Sequence, residues 1–118
     1  TFLHPSIEEL SEGFMLTKEA MLWFRDQYLS DQNLVHEPLV SPLLAESLSG
    51  LPPAVVVTAG FDPLRDEGDR YAESLIKSGV ETHHLTFDGY IHGFVNMELI
   101  SGVDDALKLI CDDFKKLF

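Results

Sequence analysis

The chain has 118 residues, 45% of them hydrophobic, and carries twenty acidic against eight basic side chains for a formal charge of -12. That length and apolar content fit one modest folded domain rather than a disordered chain, and the charge repels a phosphate backbone, which argues against a nucleic-acid partner. No apolar run approaches the roughly 20 residues of a membrane span, so no stable membrane insertion is expected.

From the N-terminus, residues 1–16 mix Pro5, Gly13 and acidic groups with scattered apolar residues, which predicts irregular structure with one short helical turn. The chain opens at Thr1 rather than a methionine, which reads as an excision point from a longer protein. Thr17 suits a helix cap, and Ala20, Met21, Phe24 and Tyr28 recur at three- and four-residue spacing. A helix is expected over 17–30, with Glu19 favourably placed in its first turn and Trp23 in a packing role. Residues 31–53 carry four prolines, Pro38, Pro42, Pro52 and Pro53, besides Asn33 and Gly50. They predict an anchored loop with a helical turn near Leu44.

AVVVTAG, residues 54–60, is a short β-branched run closed by glycine and predicts a strand buried on both faces, as in parallel sheets. Tyr71, Ala72, Leu75 and Ile76 mark one face of a helix over 66–78, and Gly79 supplies its stop. Residues 81–87 alternate like a strand near a sheet edge, with Asp88-Gly89 expected to end it. Val103, Ala106, Leu107, Ile110, Phe114 and Leu117 mark a last helix, acidic early and basic late as the helix dipole prefers. Cys111, the one cysteine, fits no disulfide or cysteine-based metal motif and reads as a small buried hydrophobe. A lone cysteine favours a reducing compartment, so the expected location is cytoplasmic.

A strand-helix-strand unit with parallel strands crosses over in right-handed fashion, so both strands end at one edge of the sheet, where open α/β folds place their ligands. The loop after the first strand then brings Asp62, and the loop after the second brings His92, to that edge. A carboxylate beside an imidazole is the acid and base half of a nucleophilic triad, and the imidazole titrates near neutrality. Topology alone leaves two other readings open: Asp62 before Pro63 as a helix cap with His92 as a loop residue, and Asp88 as the acid nearest His92. Asp66, Glu67 and Asp69 read as groups that cap or flank the helix and pair with Arg65 or Arg70. His83 and His84 lie on opposite faces of one strand and read as structural, as do His4 and His36, and no metal site is expected.

GFDPLRDEGDRYAESLIKSGV followed by FDGYIHGFVNM closely resembles the C-terminal part of the hormone-sensitive-lipase-like family of α/β-hydrolases, carboxylesterases and lipases of the serine triad type. The likeness continues upstream through GFMLTKEAMLWFRDQYL, SPLLA and LPPAVVVTAG, nearly the whole chain. It implies Asp62 as triad acid, His92 as triad base, an ester substrate of short to medium acyl length, no cofactor, and a homodimer formed through the last strand. It also implies the C-terminal portion of one α/β-hydrolase domain with an incomplete sheet. Residues 1–16 become a cap segment over the acyl pocket, with Met15, Leu16, Met21 or Trp23 lining it. Residues 17–30 remain the helix, and 54–118 form the strand-helix-strand-helix unit that bears acid and base.

The chain departs from the family in one respect. No serine lies in a G-x-S-x-G elbow, and no HGGG-type loop is present, so nucleophile and oxyanion donors are expected in a missing N-terminal half. A non-catalytic remnant or interaction domain on the same scaffold, and a serine peptidase on the same fold, stay open as alternatives.

Overall fold

Caps and breakers set the element boundaries in the computed structural model, which describes residues 2–117. Helix α1 spans Pro5–Glu9, where proline at the first position gives up an amide that no helix end could satisfy. Helix α2 spans Lys18–Tyr28, and Thr17 caps it by accepting the Ala20 N–H at 3.1 Å. The proline-rich connection holds two 3-10 turns, Gln32–His36 and Pro42–Leu44. Strand β1 follows at Ala54–Phe61, helix α3 at Arg65–Lys77, strand β2 at Thr82–Ile91, a 3-10 turn at Phe94–Asn96, and helix α4 at Val103–Leu117. Gly79 stops α3 with φ near 78°, and the N–H groups of Gly79 and Val80 close on the carbonyls of Ile76 and Leu75. That paired closure, with Val80 packed on Leu75, is a Schellman stop, and it needs the left-handed residue that glycine supplies.

β1 and β2 pair in parallel, with α3 on one face and α4 on the other. Side chains alternate between the faces and feed two cores. Leu48, Leu75 and Val80 pack with Val56 and Tyr71 on the α3 side, while Ala59, Phe94, Val103 and Ala106 pack with Val57 and Phe87 on the α4 side. His83 and His84 divide in the same way. His83 Nδ1 lies 3.4 Å from Asp113 on α4, and His84 Nε2 lies 3.1 Å from Asp69 on α3.

Four expectations are corrected. Asp88-Gly89 does not end the second strand, which runs on to Ile91 because the ladder slips: Ala59 pairs with Phe87, yet Phe61 pairs with Ile91. Gly60 alone therefore faces Asp88, Gly89 and Tyr90, a bulge in place of the expected turn. β1 is fully buried only at Thr58 and Ala59, since two strands cannot shield each other on both edges. Cys111 is exposed, on the outer side of α4. Trp23 is 58% exposed and meets Phe24 edge-on on the outside of α2 instead of entering a core. Thr1 and Phe118, the ends of the expected cap segment and of the last unit, lie outside the described residues.

Candidate active site

The slipped register does the positioning. Phe61 and Ile91 are partners across the ladder, so the residues that follow them, Asp62 and His92, leave the sheet side by side. Asp62 Oδ2 lies 2.8 Å from His92 Nδ1, and only the ring nitrogen can donate to an ionised carboxylate. The second carboxylate oxygen, Oδ1, accepts the Leu64 N–H at 2.8 Å, an Asx turn that fixes the side chain against its own backbone. The two members differ in exposure: the Asp62 side chain is 13% accessible and the His92 ring 40%. A shielded carboxylate thus orients a ring that opens outward. With Nδ1 protonated toward Asp62, the lone pair sits on Nε2, the state required of a general base.

The ring faces a hollow of about 1080 Å³, above the upper end of common ligand pockets. Leu16, Met21, Phe24, Leu29, Val40 and Leu43 give it an apolar lining. Leu16 and Met21 were expected there. Met15 stands instead over the His92 loop, its methyl 3.9 Å from where a Cβ at Gly93 would sit. Gly93 has φ near 73°, a left-handed conformation that lets the chain turn directly after the histidine.

The other singled-out acids and histidines divide as follows. Asp66 pairs with Arg65 at 3.0 Å and binds Ser6, as a helix-flanking group should. Asp88 lies in β2 with its backbone carbonyl pressed against Gly60, and the carboxylate that reaches His92 is that of Asp62. His84 Nε2 hydrogen-bonds Thr58 Oγ1 at 3.1 Å and lies 3.1 Å from Asp69 Oδ1, an oxygen with no hydrogen bond among the described residues, so both neighbours crowd the same ring nitrogen. An acid-base-nucleophile relay needs both ring nitrogens, so this cluster is structural. His4 lies 3.8 Å from Glu67, a partner that the irregular look of its segment concealed, and His36 lines the hollow. Among the described residues no group of three or more His, Cys, Asp or Glu side chains could hold a metal ion, and no helix is long and apolar enough to cross a membrane.

Sequence reasoning missed Ser6. It is wholly buried, and its partners lie about sixty positions away in Pro63 and Asp66. No local spacing could have signalled it.

Residues 2–96 match the family described as the alpha/beta hydrolase fold. A carboxylic ester hydrolase of Mycobacterium tuberculosis, LipN, is 48% identical over 91 residues, which make up 76% of this chain and 24% of that protein. An arylesterase of Saccharolobus solfataricus is 50% identical over 68 residues, 58% of this chain and 22% of the relative. The structure of EstE1, a thermostable carboxylesterase cloned from a metagenomic library, superposes with a TM-score of 0.90 at 39% identity over 98% of this chain and 40% of its own. The chain spans about a quarter of the length of the two curated relatives. Its fold, and the motifs on either side of the crossover, agree with these likenesses: the chain belongs to the hormone-sensitive-lipase-like family of the α/β-hydrolase fold.

Proposed function

We propose that this chain supplies the acid, Asp62, and the base, His92, of a Ser-His-Asp triad in a carboxylesterase or lipase acting on short to medium acyl esters. The serine nucleophile and the oxyanion donors would come from sequence outside these residues, since no G-x-S-x-G elbow or HGGG-type loop occurs in them. The observation that carries the reading is the 2.8 Å contact between His92 Nδ1 and Asp62 Oδ2 at the carboxyl edge of two parallel strands. Carboxylic ester hydrolases among the relatives support the reaction class.

In this reading His92 Nε2 takes the hydroxyl proton as the serine oxygen attacks the ester carbonyl. It returns that proton to the departing alkoxide, leaving an acyl-enzyme and a free alcohol. Water then repeats the sequence and releases the acid. Asp62 stays ionised throughout, holding the ring in one tautomer and stabilising the imidazolium that forms at each transfer. The apolar hollow beside the ring suits an acyl chain.

Hydrolysis of p-nitrophenyl esters of graded acyl length by the full-length protein tests this. His92→Ala and Asp62→Asn should each lower kcat by roughly 10⁴-fold while leaving the fold intact. Undiminished turnover in either variant overturns the assignment. The 118-residue chain alone should show no turnover, because it lacks the groups that stabilise the tetrahedral transition state. Ester hydrolysis by that chain, abolished in His92→Ala, would overturn the division of the triad.

A further inference from the structure

Helix α1 and its lead-in meet three consecutive residues at the start of α3. His4 faces Glu67 at 3.8 Å, Ser6 binds Asp66, and Glu9 Oε2 accepts from Arg65 Nη2 at 3.4 Å. The arginine-glutamate pair is exposed and weakly held. The middle contact is of another kind. Ser6 is wholly buried, and its N–H donates to Asp66 Oδ2 at 2.9 Å. Its hydroxyl donates to the Pro63 carbonyl at 2.7 Å, and the same oxygen accepts the Asp66 N–H at 3.2 Å. One small residue thus satisfies three backbone or carboxylate groups, two through its hydroxyl and one through its amide, that burial would otherwise leave unpaired.

The contact closes around Asp62. Pro63, the residue after it, is itself buried and has no N–H of its own to anchor it, so its carbonyl is the handle that the fold can hold. Ser6 holds that handle. On the other side of Asp62, the Gly60 carbonyl accepts from Arg65 Nη1 at 3.1 Å, and the same arginine is gripped through Nε by Asp66 at 3.0 Å. Both flanks of Asp62 therefore lead back to Asp66, and Asp66 is locked reciprocally to Ser6. Phe14 covers the same turn by stacking on Phe61 at 5.1 Å.

We infer that Ser6 is a positioning residue for Asp62: it fixes the Pro63 carbonyl and the first turn of α3 so that Asp62 Oδ2 stays on Nδ1 of His92. The role rests on the reading of Asp62 and His92 as acid and base. It acts through Asp62, without contact between Ser6 and substrate.

Ser6→Ala removes the hydroxyl but keeps the amide, freeing the Pro63 carbonyl and the Asp66 N–H. In the full-length protein kcat for a p-nitrophenyl ester should fall about tenfold with KM changed by less than about twofold, since a displaced orienting group affects the transition state more than binding. The low-field proton resonance of the His92 Nδ1–H, seen by NMR, should broaden or move upfield. Asp66→Asn conserves volume and one oxygen for the Ser6 amide while weakening the grip on Arg65, and should show the same signature at about threefold. It decides the matter if Ser6→Ala does not fold. A resonance unchanged in position and width, in whichever variant folds, overturns the inference whether or not kcat falls. So does full retention of kcat. If the wild-type protein hydrolyses no ester, the functional reading fails on that result alone, and the resonance still judges Ser6 separately.

Discussion

Gly60 has no room for a side chain: a Cβ there would stand 2.2 Å from the Asp88 carbonyl oxygen, which is backbone and cannot swing aside. Gly60→Ala should cost at least about 3 kcal/mol, because the bulge and the strand beside it must part to admit one methyl. Gly50 offers the contrast, with φ near 80° and nothing within 4 Å, so Gly50→Ala should cost only the left-handed backbone strain of about 1 kcal/mol. Urea-unfolding midpoints of the two variants of the full-length protein check the ranking, and equal costs would refute it. Residues at this scale were legible in the sequence where topology constrains them. Parallel strands end at one edge, so order alone brought Asp62 and His92 to that edge with two other readings open; the family resemblance chose the pair, and the two side chains lie 2.8 Å apart. Ser6 was illegible, because its partners are set by how α1 docks rather than by any neighbour in the chain.

Helix α1 is held to the start of α3 by charges whose state depends on pH. Burial pushes the Asp66 carboxyl up, but the Ser6 N–H and the adjacent Arg65 guanidinium outweigh it and hold the group below its usual value of 3.8. Burial likewise opposes the charge on Arg65, yet Asp66 and Glu9 raise it above its ordinary value. A carboxyl depressed by folding lends stability that is fully present above the unfolded-state value of roughly 3.9 and is lost as pH falls through the lower folded value. The urea midpoint of the full-length protein should therefore decline on acidification below about pH 4, and Asp66→Asn should flatten that decline. An identical acid slope in the variant would count against it. The helices themselves were plain from apolar spacing, since Thr17, Gly79 and the late lysines of α4 do what their chemistry predicts. The end of β2 was misread because Asp-Gly is locally a turn signal. A parallel neighbour in slipped register can absorb the same two residues as a bulge.

The whole molecule is a slab, 39 by 37 by 23 Å, with a radius of gyration of 15.2 Å. A self-contained domain of this length would have about 13.5 Å. The excess goes with a two-stranded sheet and a wide hollow, and large apolar side chains such as Leu39 and Leu99 stand in the open. These features support the proposal that further sheet completes the enzyme, and they explain why Trp23 and Cys111, expected inside, stand exposed. Periodicity identifies the apolar face of a helix, but whether that face is covered depends on what else packs there. The bulge in β2 carries a last consequence. Alternation breaks inside it, since Phe87 and Tyr90, three residues apart, pack in the same core, and the number of residues between Phe87 and Ile91 sets where along the sheet His92 emerges. Losing one residue there would draw the imidazole back along the strand by about 3.3 Å, and losing two by about 6.6 Å, either enough to break its 2.8 Å contact with Asp62. Asp88 and Gly89 therefore act as a spacer, and Tyr90, packed on Phe87 and Phe94, anchors its far end. In this one stretch, insertions and deletions are as consequential as the substitution of His92 itself.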